Sequence, residues 1–172
     1  MAIVSSDLVY RLSGGAGNTD PAAALGGAMS TAGGGVITSA TLNNLFDNVT
    51  GDEASAGDTE YRCIYVRNEH ATLTLTLAKL WISVVDPHAG ATFAIALADE
   101  GVSAAAETIA NESTAPSGPS FSSPTTKGAG LSIPDLAPNA YMGIWVRRVI
   151  GAATAATAST GPTLRLEGDT PA

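Results

Sequence analysis

The chain has 172 residues, with 16 acidic against 8 basic side chains, a net charge of −8 and one cysteine. One domain of this length can bury most of the surface that folding hides. The acidic balance argues against gripping a phosphate backbone through a basic face, and the lone Cys63 excludes an intrachain disulfide or a multi-cysteine metal site. Only 14% of residues are charged, which points to surface covered by a partner. The 19 glycines and 9 prolines make the chain rich in turns, as antiparallel β folds are.

Asp7 to Leu12 (DLVYRL) alternates as a short strand does. The glycine-rich stretch from Ser13 to Gly35 follows, with few large side chains to repay the entropy of ordering it. It is expected to be either a flexible linker or an arm ordered by another subunit. Ordered structure resumes at Val36-Ile37. Ser39 to Asn48 places Leu42, Leu45 and Phe46 at helical spacing behind Ser39 or Thr41 as a cap, which predicts one short helix. An acidic loop then runs from Asn48 to Asp58.

The strongest strand signal lies between Thr59 and Asp86. Glu60 to Val66 (EYRCIYV) sets Tyr61, Cys63 and Tyr65 on one face and Arg62, Ile64 and Val66 on the other. Arg67 to His70 is a polar turn; Thr72 to Thr76 alternates threonine and leucine, and Lys79 to Val85 continues around Trp81. This stretch reads as a central hairpin region whose core candidates are Tyr61, Cys63, Tyr65, Leu73, Leu75 and Trp81. After a turn at His88 to Gly90 come strands at Ala91 to Ala98 and, more weakly, Ala104 to Ala110. Asn111 to Gly130 is a Ser/Thr/Pro loop whose one large apolar residue, Phe121, pins it or pairs briefly as a strand. Leu131 to Ile133, Ala140 to Ile150 (AYMGIWVRRVI) and Pro162 to Glu167 complete the strands.

About eight strands without a βαβ rhythm predict an all-β fold. The expected form is a two-sheet antiparallel β-sandwich or jelly-roll with one short helix. Residues 1–35 are expected to be an extended, flexible arm with a short strand, and 36–172 the sandwich domain.

Catalysis finds few candidates. His70 and His88 lie in turns, no G-x-S-x-G elbow is present, and no set of residues qualifies as catalytic or cofactor-binding. Asp47, Asp52, Glu53 and Asp58 are a weak candidate set for Ca²⁺, because hard cations take carboxylate oxygens from a compact loop; their spacing departs from the EF-hand pattern. SGGAGNTD lacks the lysine and setting of a phosphate loop. Arg147 and Arg148 point to opposite faces of their strand, so the inward one needs a carboxylate such as Glu60 or Glu167. Trp81, Trp145 or Tyr141 would stack on sugars if exposed, although their apolar surroundings favour core packing. No export signal and no apolar run of membrane-spanning length occurs in the sequence.

Several stretches, taken together, carry a resemblance: LVYRLSGGAGNTDPAAALGGAMS, LNNLFDNVTGDEASAGDTEYRCIYVRNEH, ANESTAPSG, TTKGAGLSI, WVRR and LRLEGDT. In this order, across nearly the whole chain, the sequence resembles small virion structural proteins of tailed bacteriophages and prophages. The resemblance implies a β-sandwich built into the particle, above all a capsid decoration (cement) protein on the major-capsid lattice, with a tail or head–tail connector position as the alternative. The implied partners are the major capsid protein or other virion proteins and further copies of the chain in a dimer or trimer, with neither nucleic acid nor membrane. The implied location is the virion, assembled in host cytoplasm. Arg11, Asn18, Asp20, Leu25, Met29 and Phe121 are the candidate partner contacts.

Overall fold

The structure, a computed structural model, describes residues 2–85, 90–157 and 161–170. The fold is all-β. Its elements are β1 (Leu8–Leu12), β2 (Gly26–Gly27), α1 (Gly51–Ala56), β3 (Asp58–Asn68), β4 (Thr76–Val84), β5 (Ala91–Leu97), β6 (Ala106–Thr108), β7 (Leu131–Ser132), β8 (Tyr141–Ile150) and β9 (Thr163–Asp169). The four-stranded sheet β1–β3–β8–β5 and the three-stranded sheet β7–β4–β9 are antiparallel throughout, and β2 pairs with β6 in a small third sheet.

Period-two patterning explains the main core. Ile64 and Val66 from β3, Met142, Ile144 and Val146 from β8, and Phe93 and Ile95 from β5 meet Ala78, Leu80 and Ile82 from β4. That is the predicted sandwich.

The opposite face of the four-stranded sheet is equally apolar. Cys63, Trp145 and Ala96 are register partners in a row across it, flanked by Tyr61 and Tyr65. Such a face needs a cover, and the glycine-rich segment supplies it. Met29 and Leu25 pack on this second cluster together with Ala106, Ile109 and Phe121. The Tyr65 hydroxyl donates to the Gly27 carbonyl at 2.6 Å and accepts from the Ala106 amide at 2.7 Å, tying both covering segments to the sheet. Beyond the end of β1 the edge of β3 is met by Ser13, whose amide donates to the Cys63 carbonyl. Ala24 and Glu112 accept there from the Cys63 and Tyr61 amides.

The segment expected as a free or partner-held arm therefore lies on its own sheet. Small residues allow it because the backbone itself bonds closely, and the missing side-chain contacts are replaced by the aromatic face beneath. The accessible surface agrees: 7847 Å², against about 7,800 Å² for a compact monomer of this mass.

Three further expectations change. Residues 39–48 form turns rather than a helix, with Ala40 and Asn43 at positive φ, Leu42 in solvent and Phe46 turned into the core. The described α-helix falls instead in the acidic loop, where Thr50 and Glu53 form a reciprocal capping box. Finally, β3 and β4 are not a hairpin but belong to different sheets. Buried Asn68 anchors the crossover: its amide donates to the Leu73 and Leu136 carbonyls at 2.8 Å, and its oxygen accepts from the His70 amide. The alternating Thr72–Thr76 run thus becomes strand only at Thr76, with Leu75 in an isolated bridge to Leu136.

Candidate functional site

The most chemically distinctive part of the molecule is a buried charge cluster where β3 begins. Thr50 caps α1, and Gly57, at φ +81°, turns the chain sharply from the helix into β3; a Cβ there would approach the Ile150 carbonyl to 3.1 Å. Glu60 and Arg62 then point inward on β3, and Arg148, the register partner of Glu60 on β8, points inward beside them. Arg148 donates through Nε to Glu60 Oε2, at 2.7 Å to the Asp47 carbonyl and at 3.0 Å to Asp47 Oδ1. Arg62 donates to Glu112 Oε2 and, at 3.3 Å, to the Tyr61 carbonyl. The guanidiniums of Arg62 and Arg148 lie 5.6 and 4.8 Å from the Phe46 ring centroid, so the phenylalanine closes over both. The expectation that the inward arginine pairs with Glu60 is met; Glu167 instead binds Lys127 and Arg165 at the surface.

Of the four residues proposed for a cation, the fold brings together two. Glu53 and Asp58 converge with Glu60, each offering an oxygen within 4.8 Å of the others. Asp47 is committed to Arg148, and Asp52 faces solvent on α1. Glu60 was missed as a possible ligand, although its place two residues after Asp58 on a strand puts both carboxylates on one face. Burial pushes the Glu60 carboxyl above its ordinary range, outweighing the opposing pull of Arg148 and Arg62.

The residues expected to touch a partner are engaged within the chain. Arg11 pairs with Glu69 at 3.0 Å, Asn18 donates to the Ser13 carbonyl at 2.6 Å, and Asp20 caps the turn at Pro21–Ala23. Leu25 and Met29 belong to the second core, and Phe121 packs edge-on to Tyr61 beneath the Arg147 guanidinium.

Neither tryptophan offers a face to a sugar. Trp145 is fully buried, Trp81 is buried under Arg165, and the Tyr141 hydroxyl donates to the Ser103 carbonyl. His70 Nδ1 accepts from the Thr72 and Leu73 amides and so shapes its own turn; His88 lies outside the described residues. Cys63 is buried, and desolvation pushes its thiol well above the ordinary range, which removes the reactive thiolate.

A cavity of about 410 Å³ opens between the sheets under the turns at 38–45, floored by Tyr10, Ile64, Val146 and Leu164. The Tyr10 hydroxyl is buried there without a hydrogen-bond partner among the described residues. Among the described residues no helix is long and apolar enough to cross a membrane. In comparisons with known proteins, no protein-family model matches the chain, and no curated protein or solved structure does either.

Proposed function

We propose that the protein is a structural component of a tailed-phage particle, a decoration protein that binds over the major-capsid lattice as a dimer or trimer. Support comes from the resemblance carried by the stretches quoted above and from one surface observation. Leu77 is 73% exposed and sits in the left-handed region at φ +52°, inside a register shift between β4 and β9. We read backbone strain held at a solvent-facing leucine as a position suited to contact with a partner. The same sheet ends in β9, which pairs with β4 on one side only among the described residues, and Val84 and Val85 are exposed at the far end of β4. A stiff body with apolar contacts on one sheet suits a surface that repeats many times, where avidity compensates for modest individual contacts.

Particles purified without the protein are to be mixed with it. Saturable binding, weakened by Leu77→Asp at an unchanged melting temperature, is the expected result. Binding no better than that of an unrelated acidic protein would end the proposal. Copy number separates a shell position, spread over the lattice, from a ring at the tail or connector.

A further inference from the structure

Three carboxylates meet where α1 hands over to β3. Glu53, Asp58 and Glu60 each offer an oxygen within 4.8 Å of the others. An ion touching all three at calcium's bond lengths lets the three oxygens stand at most about 4.0–4.5 Å from one another, whereas magnesium's shorter bonds allow only about 3.5–3.6 Å. Oxygens spread to the full 4.8 Å would draw in slightly around Ca²⁺ and by about 1 Å or more around Mg²⁺.

Convergence of acids alone would say little; Glu60 adds an independent observation. Its side chain is 1% exposed, and while Oε2 receives the Arg148 Nε–H, Oε1 has no hydrogen-bond partner among the described residues, the Arg62 guanidinium being 3.9 Å away. A buried carboxylate oxygen left without a donor is costly, and the long ion pair with Arg62 offsets this only in part, so a proton or a cation there would stabilise the site. Nor do the neighbouring arginines have charge to spare. Asp47 shares Arg148 and Glu112 shares Arg62, while Glu53 and Asp58 have no cationic partner among the described residues. Among the described residues their carboxylates accept only the Thr50 and Thr59 amides, and both residues are partly exposed, which leaves room for water.

We propose that Glu53, Asp58 and Glu60 bind a hard divalent cation of calcium's size, with water completing the shell on the Glu53–Asp58 side. The ion would tie the first turn of α1 to the first residues of β3 through the Glu60 carboxylate. The site is independent of any role in a particle.

The test uses the full chain, freed of metal with a chelator and titrated with CaCl₂ by calorimetry. Melting curves are recorded in CaCl₂ and in MgCl₂ at matched ionic strength. With three protein carboxylates, one saturable site with Kd on the order of 10⁻⁴–10⁻³ M is expected. Calcium at ten to a hundred times Kd should raise Tm by roughly 3–10 °C, and magnesium by much less. Glu53→Gln and Asp58→Asn, both at partly exposed positions, should fold without calcium and weaken its binding about tenfold or more. Glu60→Gln should abolish binding; if it does not fold, the other two variants decide. The proposal is overturned by no saturable binding up to about 10 mM, by equal stabilisation from magnesium, or by wild-type affinity in Glu53→Gln and Asp58→Asn.

Discussion

Met29 tests whether the glycine-rich segment belongs to the folded body. Its side chain is 7% exposed and lies in the cluster of Tyr61, Cys63, Tyr65 and Trp145 on the outer face of the four-stranded sheet. Met29→Ala removes most of that contact and leaves a void over a face packed against Trp145. Buried methionine truncations cost about 2–5 kcal/mol, and in a domain of this size each kcal/mol lowers Tm by roughly 2–4 °C. A mobile arm would give a change within about 0.5 kcal/mol, as surface substitutions do. Urea unfolding followed by tryptophan fluorescence measures the loss, with exposed Leu77→Ala as the matched control. Hydrogen exchange adds a local readout, because the Cys63 amide donates to the Ala24 carbonyl and the Ser30 amide to the Leu12 carbonyl at 2.8 Å. Both amides should be protected in the wild type and exchange faster in Met29→Ala. A stability loss below about 0.5 kcal/mol, with no change at those amides, would refute the docking of the segment.

Gly26→Ala attacks the same layer through its backbone: φ is +93° and the new Cβ would lie 1.7 Å from the Glu107 carbonyl oxygen. A loss of about 2 kcal/mol or more is expected in chemical denaturation, since positive φ alone costs roughly 1–2 kcal/mol. Arg148→Met strands the buried Glu60 carboxylate and should cost about 3–5 kcal/mol by urea unfolding, most of it recovered in the Glu60→Leu/Arg148→Met pair. Glu60 also predicts a pH dependence, measured in chelator. Its carboxyl is raised in the folded chain from an ordinary value of 4.5, so the folded state holds that proton more tightly than the unfolded state. The resulting stabilisation is complete below the ordinary value and is lost as pH rises through the raised one. The difference in stability between wild type and Glu60→Gln should follow that window; a pH-independent difference would show that the carboxyl is not raised.

Much of the sheet framework was legible along the chain. The runs at Glu60–Val66, Ala91–Ala98 and Ala140–Ile150 became β3, β5 and β8 because alternation and β-branched or aromatic side chains are local properties. Those same runs were apolar on both faces, with Tyr61, Cys63 and Tyr65 opposite Ile64 and Val66. Apolar residues on both faces of one strand mark a sheet covered on both sides, here by the second sheet and by the glycine-rich segment. The helix was misplaced because Leu42, Leu45 and Phe46 mimic its spacing, while the real start signal, Thr50 with Glu53 three residues on, is a capping box. At the candidate site Glu53 and Asp58 could be picked from the acidic loop, but nothing in the loop separated them from Asp47 and Asp52.

Local patterning along the chain specifies the long strands β3, β5 and β8, their apolar faces, and that one of the two adjacent arginines on β8 turns inward. These follow from steric preferences and the two-residue period of a strand; the Thr72–Thr76 run and β2 show where tertiary context overrides them. Tertiary structure alone decided what covers the outer face and which charges meet. The glycine-rich segment has few side chains through which to advertise a partner; its attachment runs through backbone groups such as the Ala24 carbonyl, whose partner is set only when β3 lies beside it. Likewise Arg148 and Glu60 are 88 residues apart and become neighbours through the register of β3 on β8. That register places Glu60 in the interior with one carboxylate oxygen unsatisfied, two residues from Asp58 and across from Glu53.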